Sequence, residues 1–138
     1  VLLNETGGII DDTIITKQES SEHFYVVTNA GRIDKDKEHI GKALQAWNAK
    51  QSEGDQVIWE TLDGWGLLAL QGPKAAEVLQ GLVGSEKDLS MIKFGQSAFV
   101  KVGKDAVECH IARGGYTGED GFEVGQPKSR NLLQVKQS

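Results

Sequence analysis

The 138 residues contain a single cysteine, Cys109. No internal disulfide can form, and no zinc site of the CxxC kind exists. Such a chain suits a reducing compartment without requiring one. Long apolar runs are also missing. Leu67-Leu68-Ala69-Leu70 is typical of the longest, and a membrane-crossing helix needs about 20 such residues, so no membrane is expected. Basic excess is absent as well: 15 Lys and Arg stand against 20 Asp and Glu, for a net charge of −5. A protein that tracks a phosphate backbone needs a basic stripe, so no nucleic-acid partner is expected. The three histidines, His23, His39 and His110, have no His, Cys or carboxylate partner at metal-ligand spacing, and no metal is expected. There is no GxSxG elbow, no P-loop and no GxGxxG. No basic, Ser-rich leader precedes the first strand pattern, and Val1 reads as set inside a folded element, so the sequence is expected to be an internal segment.

What remains is a composition that folds: 38% hydrophobic and 25% charged residues, at a length that suits one domain. Residues 9–16 and 24–28 are dense in β-branched and aromatic side chains and predict neighbouring antiparallel strands. Ile33, Ile40, Ala43, Leu44 and Trp47 recur at helical spacing, which predicts a helix over 33–50. Strands are expected at 57–62 and 66–70 around the Asp63-Gly64 turn. A second helix opens at Pro73, with Ala75, Ala76, Leu79, Leu82 and Val83 as its stripe and Gly84 as its stop. Strands at 97–102, 106–112 and 121–124 complete the order β-β-α-β-β-α-β-β-β. The expected class is α+β, a largely antiparallel sheet with helices on one face. Beyond residue 125 the composition turns polar, so residues 1–125 are expected to form the domain and 126–138 a divergent tail.

Three features carry possible chemistry. Asp11-Asp12 interrupts an apolar strand. With alternating side chains, Asp12 shares a face with Ile10 and Ile14, and Asp11 with Ile9 and Ile15. One carboxylate must therefore lie among apolar neighbours, which costs free energy unless it is paired. The alternative is an edge strand whose acids discourage pairing with other sheets. Next, the stretch 114–123 sets Tyr116 among four glycines and three acids. Glycines permit close approach to a ligand, tyrosine offers a flat face with a polar tip, and Glu123 can accept two hydrogen bonds from an amino-pyrimidine edge. The alternative is a plain hairpin with an Asp-Gly turn. Finally, Asn29 ends a strand, where an amide can orient a heterocycle or simply cap the exit into a loop. Cys109, inside a strand, reads as a small core residue.

Taken in order, Leu3-Asn4-Glu5-x-Gly7-Gly8-Ile9-Ile10-Asp11-Asp12, Val26-Val27-x-Asn29-Ala30, Leu70-Gln71-Gly72-Pro73 and Gly115-Tyr116-Thr117-Gly118-Glu119-Asp120-Gly121-Phe122-Glu123 resemble the aminomethyltransferase (T-protein) family of the glycine cleavage system. The resemblance covers residues 1–124, and the first and last motifs are the specific ones. It implies the folate-binding T-protein fold and a tetrahydrofolate co-substrate. It also implies an aminomethyl group delivered on the lipoyl arm of H-protein, the partner. The products would be 5,10-methylenetetrahydrofolate and ammonia. The family's catalytic aspartate, near the folate N10, falls on Asp12. Its folate-pocket asparagine, tyrosine and glutamate fall on Asn29, Tyr116 and Glu123. The family is mitochondrial in eukaryotes and cytoplasmic in bacteria. Family enzymes are considerably longer, and the stretch after Val124 departs from their pattern. The competing readings are a folate-dependent demethylase, a sarcosine or dimethylglycine dehydrogenase-type folate domain, and a non-catalytic folate-binding fragment. Thr117-Gly118-Glu119-Asp120-Gly121 favours T-protein over the demethylase and dehydrogenase types.

Overall fold

The structure, a computed structural model, describes residues 1–18 and 22–127. The chain forms two compact units, residues 1–61 and 62–138. All strand pairings among the described residues are antiparallel, and two α-helices accompany them. The α+β expectation therefore holds.

In the first unit, β1 (Leu2–Leu3) pairs with β2 (Ile9–Asp11), and β3 (Ile14–Lys17) pairs with β4 (Phe24–Val27). The turn between β1 and β2 is built on Asn4, whose Oδ1 accepts from the Thr6 N–H at 3.0 Å, the Thr6 hydroxyl at 2.9 Å and the Gly8 N–H at 2.7 Å. This is the side-chain turn that Asn favours. Gly7 has φ +81°, and a Cβ on Gly8 would stand 2.7 Å from Asn4 Nδ2, so both glycines are required.

The single strand expected over 9–16 is in fact two, broken at Asp12-Thr13. The Thr13 hydroxyl donates to the Val27 carbonyl at 2.6 Å, a side-chain bond at the end of the β3–β4 ladder. Simple alternation therefore fails across the break. Asp11 is buried, while Asp12 is exposed.

A 3₁₀ turn, Ala30–Arg32, leads into α1 (Ile33–Asn48), close to the predicted helix. Ile40, Ala43, Leu44 and Trp47 line a shallow apolar groove with Leu2 and Val57. The expected strand over 57–62 does not form. Its first residue is held instead by Asn48, whose Nδ2 donates to the Val57 carbonyl at 2.8 Å and whose Oδ1 accepts the Val57 N–H at 2.9 Å. A side-chain amide thus takes the place of a neighbouring strand. Trp59 rests against the helix at Gly41, where an added Cβ would meet its ring at 3.5 Å. Val57 and Trp59 give a strand signal in sequence, yet here they pack along a helix.

The second unit is one four-stranded sheet in the order β5 (Trp65–Gln71), β8 (Gly121–Pro127), β7 (Val107–Arg113), β6 (Ser97–Val102). The helix α2 (Ala75–Val83) packs with β8 and β6. The core joins Ala75, Leu79 and Val83 of α2 to Val100, Val102, Val107, Cys109, Ile111, Phe122 and Val124. Burying a Leu or Phe in this way contributes about 1.5–3 kcal/mol. Pro73 lies just ahead of α2 rather than inside it, and the Ala75 N–H donates to the Gly72 carbonyl. Gly84 ends the helix with φ +66°. β8 continues past the expected Val124, because Gly125, Gln126 and Pro127 pair with Leu67, Gly66 and Trp65. Pro127, which lacks an N–H, is placed at the strand's end, where it is tolerated. The remainder of the expected polar tail, 128–138, lies outside the described residues.

Candidate functional site

The first unit brings Asp12 and Asn29 together. The strand break turns Asp12 outward at the end of β2, and Asn29 follows β4, on the way into the 3₁₀ turn before α1. Asn29 Nδ2 donates to Asp12 Oδ1 at 2.8 Å and to the two carboxylate oxygens of Asp11 at 3.1 and 3.2 Å. An amide nitrogen carries two hydrogens, so one points at each carboxylate. Burial disfavours charge on Asp11. The hydrogen bonds from Asn29, with the neighbouring Asp36 and the adjacent backbone, outweigh it and hold the Asp11 carboxyl below its ordinary value. The exposed Asp12 (Oδ1 bonded to Asn29) and the buried Asp11 thus share one amide. Arg32 adds a bond from Nη2 to the Ile10 carbonyl at 2.9 Å, fixing β2 from the helix side.

The second unit holds Tyr116 and Glu123. Tyr116 sits in the loop before β8 with 86% of its surface exposed. Its backbone is held by Gln71 at the end of β5: Gln71 Oε1 accepts the Tyr116 N–H at 3.1 Å, and Gln71 Nε2 donates to the Gly114 carbonyl at 3.3 Å. A Cβ on Gly121 would fall 2.3 Å from the Gln71 amide, and one on Gly115 would fall 2.8 Å from the Glu119 carbonyl. Gly115 and Gly121 are therefore needed for the loop to close on Gln71. Arg113 and Asp120 lock the loop's far side through Nε to Oδ1 at 2.9 Å and Nη2 to Oδ2 at 2.7 Å. Arg113 Nη1 donates to the Ile92 carbonyl at 3.0 Å, and its guanidinium lies 5.4 Å from the Phe122 ring centroid.

Glu123 lies in β8 between Ala69 of β5 and Ala112 of β7 in direct register. Cross-strand partners share a face, so the carboxylate has only methyl groups on either side. Phe122 and Val124, which alternate with it, enter the core on the other face. No hydrogen bond or ion pair reaches the Glu123 carboxylate from the described residues. Cys109 is fully buried, and burial pushes its thiol up to about 11, which leaves it no nucleophilic role.

Sequence reasoning missed Gln71, Asp36 and the Arg113–Asp120 pair. Gln71 lay within a motif too short to stand out. Asp36 lay in the charged run Asp34-Lys35-Asp36-Lys37-Glu38, which reads as a solvated helix face, yet it is 1% exposed.

An antiparallel α+β chain with an amide-bridged aspartate pair and a glutamine-clamped glycine loop has clear relatives. The sequence model of the GCVT N-terminal domain matches residues 1–136, and the chain belongs to that family. It is 49% identical over 127 residues to the mitochondrial aminomethyltransferase of Mesembryanthemum crystallinum, covering 92% of this chain and 29% of that protein. It is 46% identical over 125 residues to the probable mitochondrial aminomethyltransferase of Schizosaccharomyces pombe, covering 91% and 30%. It is 45% identical over 136 residues to the mitochondrial aminomethyltransferase of Pisum sativum, covering 99% and 31%. The chain thus spans about three tenths of the length of the curated relatives it matches.

Proposed function

We propose that these residues form part of an aminomethyltransferase of glycine cleavage. In this reading the protein takes an aminomethyl group from the lipoyl arm of H-protein and acts in mitochondria, as its named relatives do. Residues 1–125 are then an incomplete folate-binding portion and 126–138 a divergent tail. The observation that carries the reading is the Asn29 amide that bridges Asp11 and Asp12, in a chain 45–49% identical to aminomethyltransferases.

The donor set suits a folate co-substrate. Glu123, flanked by Ala69 and Ala112, offers two acceptor oxygens, which matches the paired N–H donors of an amino-pyrimidine edge. The exposed ring of Tyr116 offers an apolar face. Tetrahydrofolate supplies the nucleophilic nitrogens that take the carbon from the lipoyl sulfur, leaving ammonia, 5,10-methylenetetrahydrofolate and the reduced lipoyl arm. Asp12, held in one orientation by Asn29, stabilises positive charge that develops at the transferred carbon. Holding two large substrates at attack distance supplies much of the remaining rate.

The test is ammonia release from aminomethylated H-protein by the longest native chain that contains these residues. Turnover in the parent and a loss on the order of 100-fold in Asp12→Asn are expected, the scale of one lost electrostatic contact. Full turnover in Asp12→Asn would remove Asp12 from the mechanism. Activity toward a methylated amine without H-protein would favour the demethylase type instead.

A further inference from the structure

The Tyr116 side chain makes no hydrogen bond among the described residues, so where its ring stands is decided by the backbone that carries it. That backbone is the loop 114–120 between β7 and β8. It contains Gly114, Gly115 and Gly118, the last at φ +89°, and such a loop has many alternative conformations to lose. Its first half is tied by Gln71, which accepts the Tyr116 N–H and donates to the Gly114 carbonyl. Thr117, Gly118 and Glu119 are exposed and make no hydrogen bond among the described residues. The second half therefore depends on Asp120. Its carbonyl accepts the Gly72 N–H at 2.9 Å, and its carboxylate takes the Arg113 fork. Arg113 and Asp120 flank the loop in sequence, so the fork spans its neck.

The guanidinium is anchored in turn. Its Nη1 donates to the Ile92 carbonyl at 3.0 Å and to the Leu89 carbonyl at 3.5 Å, and both of those side chains belong to the core. Phe122, whose ring lies near the guanidinium, is a core residue too and precedes Glu123 directly. A bidentate ionic pair fixes direction as well as distance. One side chain thus ties the end of the loop to the core from which Glu123 projects.

We propose, on the reading of Tyr116 and Glu123 as folate-binding residues given above, that Arg113 is a positioning residue: by holding the neck of the 114–120 loop it presets Tyr116 relative to Glu123 before the ligand arrives. Arg113 touches neither substrate. Its effect passes through Asp120 and the loop to Tyr116. A loop released at its neck samples conformations that cannot bind, and the apparent Kd rises as the competent fraction falls. A staple that served stability alone would weaken folding and leave the affinity of the folded protein unchanged.

The experiment is calorimetric titration with 5-methyltetrahydrofolate, well below the melting temperature, in the longest native chain that contains these residues. Parent, Arg113→Lys, Asp120→Asn, Tyr116→Ala and the double variant of Arg113→Lys with Tyr116→Ala are compared. Arg113→Lys and Asp120→Asn are each expected to raise Kd by about tenfold, as when one folded molecule in ten keeps the competent loop. Tyr116→Ala is expected to weaken binding too, and adding Arg113→Lys to it is expected to cost nothing more. Amide hydrogen exchange at 116–119 in the ligand-free protein is expected to speed up in both neck variants. An unchanged Kd in the neck variants would overturn the proposal, as would full additivity of Arg113→Lys and Tyr116→Ala. If Arg113→Lys fails to fold, Asp120→Asn alone and combined with Tyr116→Ala gives the same comparison. Binding that survives in the neck variants but is lost in Glu123→Ala would sink the proposal alone. A parent that binds no 5-methyltetrahydrofolate would sink the reading of the site itself, and the proposal with it.

Discussion

The side-chain nitrogen of Asn29 stands 2.8 Å from Asp12 Oδ1 and 3.1 Å from Asp11 Oδ1, so one amide orients two consecutive carboxylates. Asn29→Asp replaces the shared donor with a third acceptor and sets like charges against one another. Turnover is expected to fall by roughly 100-fold, comparable to the misplacement of a reacting group by about 1 Å. Asn29→Ala leaves the carboxylates unbridged and is expected to fall less. Ammonia-release kinetics on both variants check the order; equal activity of parent and Asn29→Asp would show that the bridge plays no part in catalysis.

Gln71 and Gly121 make a second testable pair. A Cβ on Gly121 would strike the Gln71 amide at 2.3 Å. A glutamine side chain can swing aside, so Gly121→Ala is expected to fold. In swinging, Gln71 gives up its bonds to Gly114 and Tyr116, which frees the loop. Gly121→Ala and Gln71→Ala are thus expected to weaken 5-methyltetrahydrofolate binding alike, by about tenfold, with the melting temperature moving little. Calorimetric titration beside thermal melts measures both. Glu123→Ala, which leaves the clamp intact, is expected to abolish binding outright, because the carboxylate's two acceptors go with it.

Why some of this was legible in sequence and some was not follows from the local or long-range origin of each feature. Asp12 and Asn29 were legible because acids inside an apolar run and an amide at a strand end are visible within a few residues. Both helices were legible from spacing, and Gly84 from its position. The break at Asp12-Thr13 was not, since Ile9, Ile10, Ile14 and Ile15 read alike on both sides of it. Residues 57–62 were misread because partners decide what an apolar β-branched run becomes. Val57 found Asn48 and Trp59 found Gly41 in place of a strand. Asp36 was hidden for the same reason: its burial depends on β2, some 25 residues away in sequence.

The Arg113–Asp120 fork carries a pH dependence of its own. The hydrogen bonds from Arg113 hold the Asp120 carboxyl below its ordinary value against partial burial. Its contribution is present above the ordinary aspartate value and is lost as pH falls through the lowered one. Because Asp120 is 38% exposed at its side chain, solvent screening keeps the net contribution to about 1 kcal/mol. Asp120→Asn is expected to flatten the acid limb of stability by that amount. Arg113→Lys is expected to do more harm, since an ammonium cannot reproduce the fork and leaves the Ile92 carbonyl without its donor. Denaturant melts at pH 3 and pH 6 measure both.

His110 controls a different part of the acid range. It is 1% exposed in β7, with Nε2 3.0 Å from the Ser97 hydroxyl and its ring edge-on to Phe99 at 5.0 Å. Burial pushes its pKa down to about 4, because the imidazolium form loses its hydration there. The unfolded chain binds a proton near the ordinary value of about 6.5, and the folded chain does not. Stability is therefore fully present above that value and declines as pH falls toward 4, by on the order of 3 kcal/mol in total. The decline precedes the loss of the Asp120 contribution, so the acid limb should show two steps. His110→Gln removes the titrating group while keeping a polar partner for Ser97. It is expected to erase the step between pH 6.5 and 4 and leave the lower one. Stability measured at half-unit pH intervals reads this directly. An unchanged upper step in His110→Gln would show that the buried imidazole has no part in the acid sensitivity of this unit.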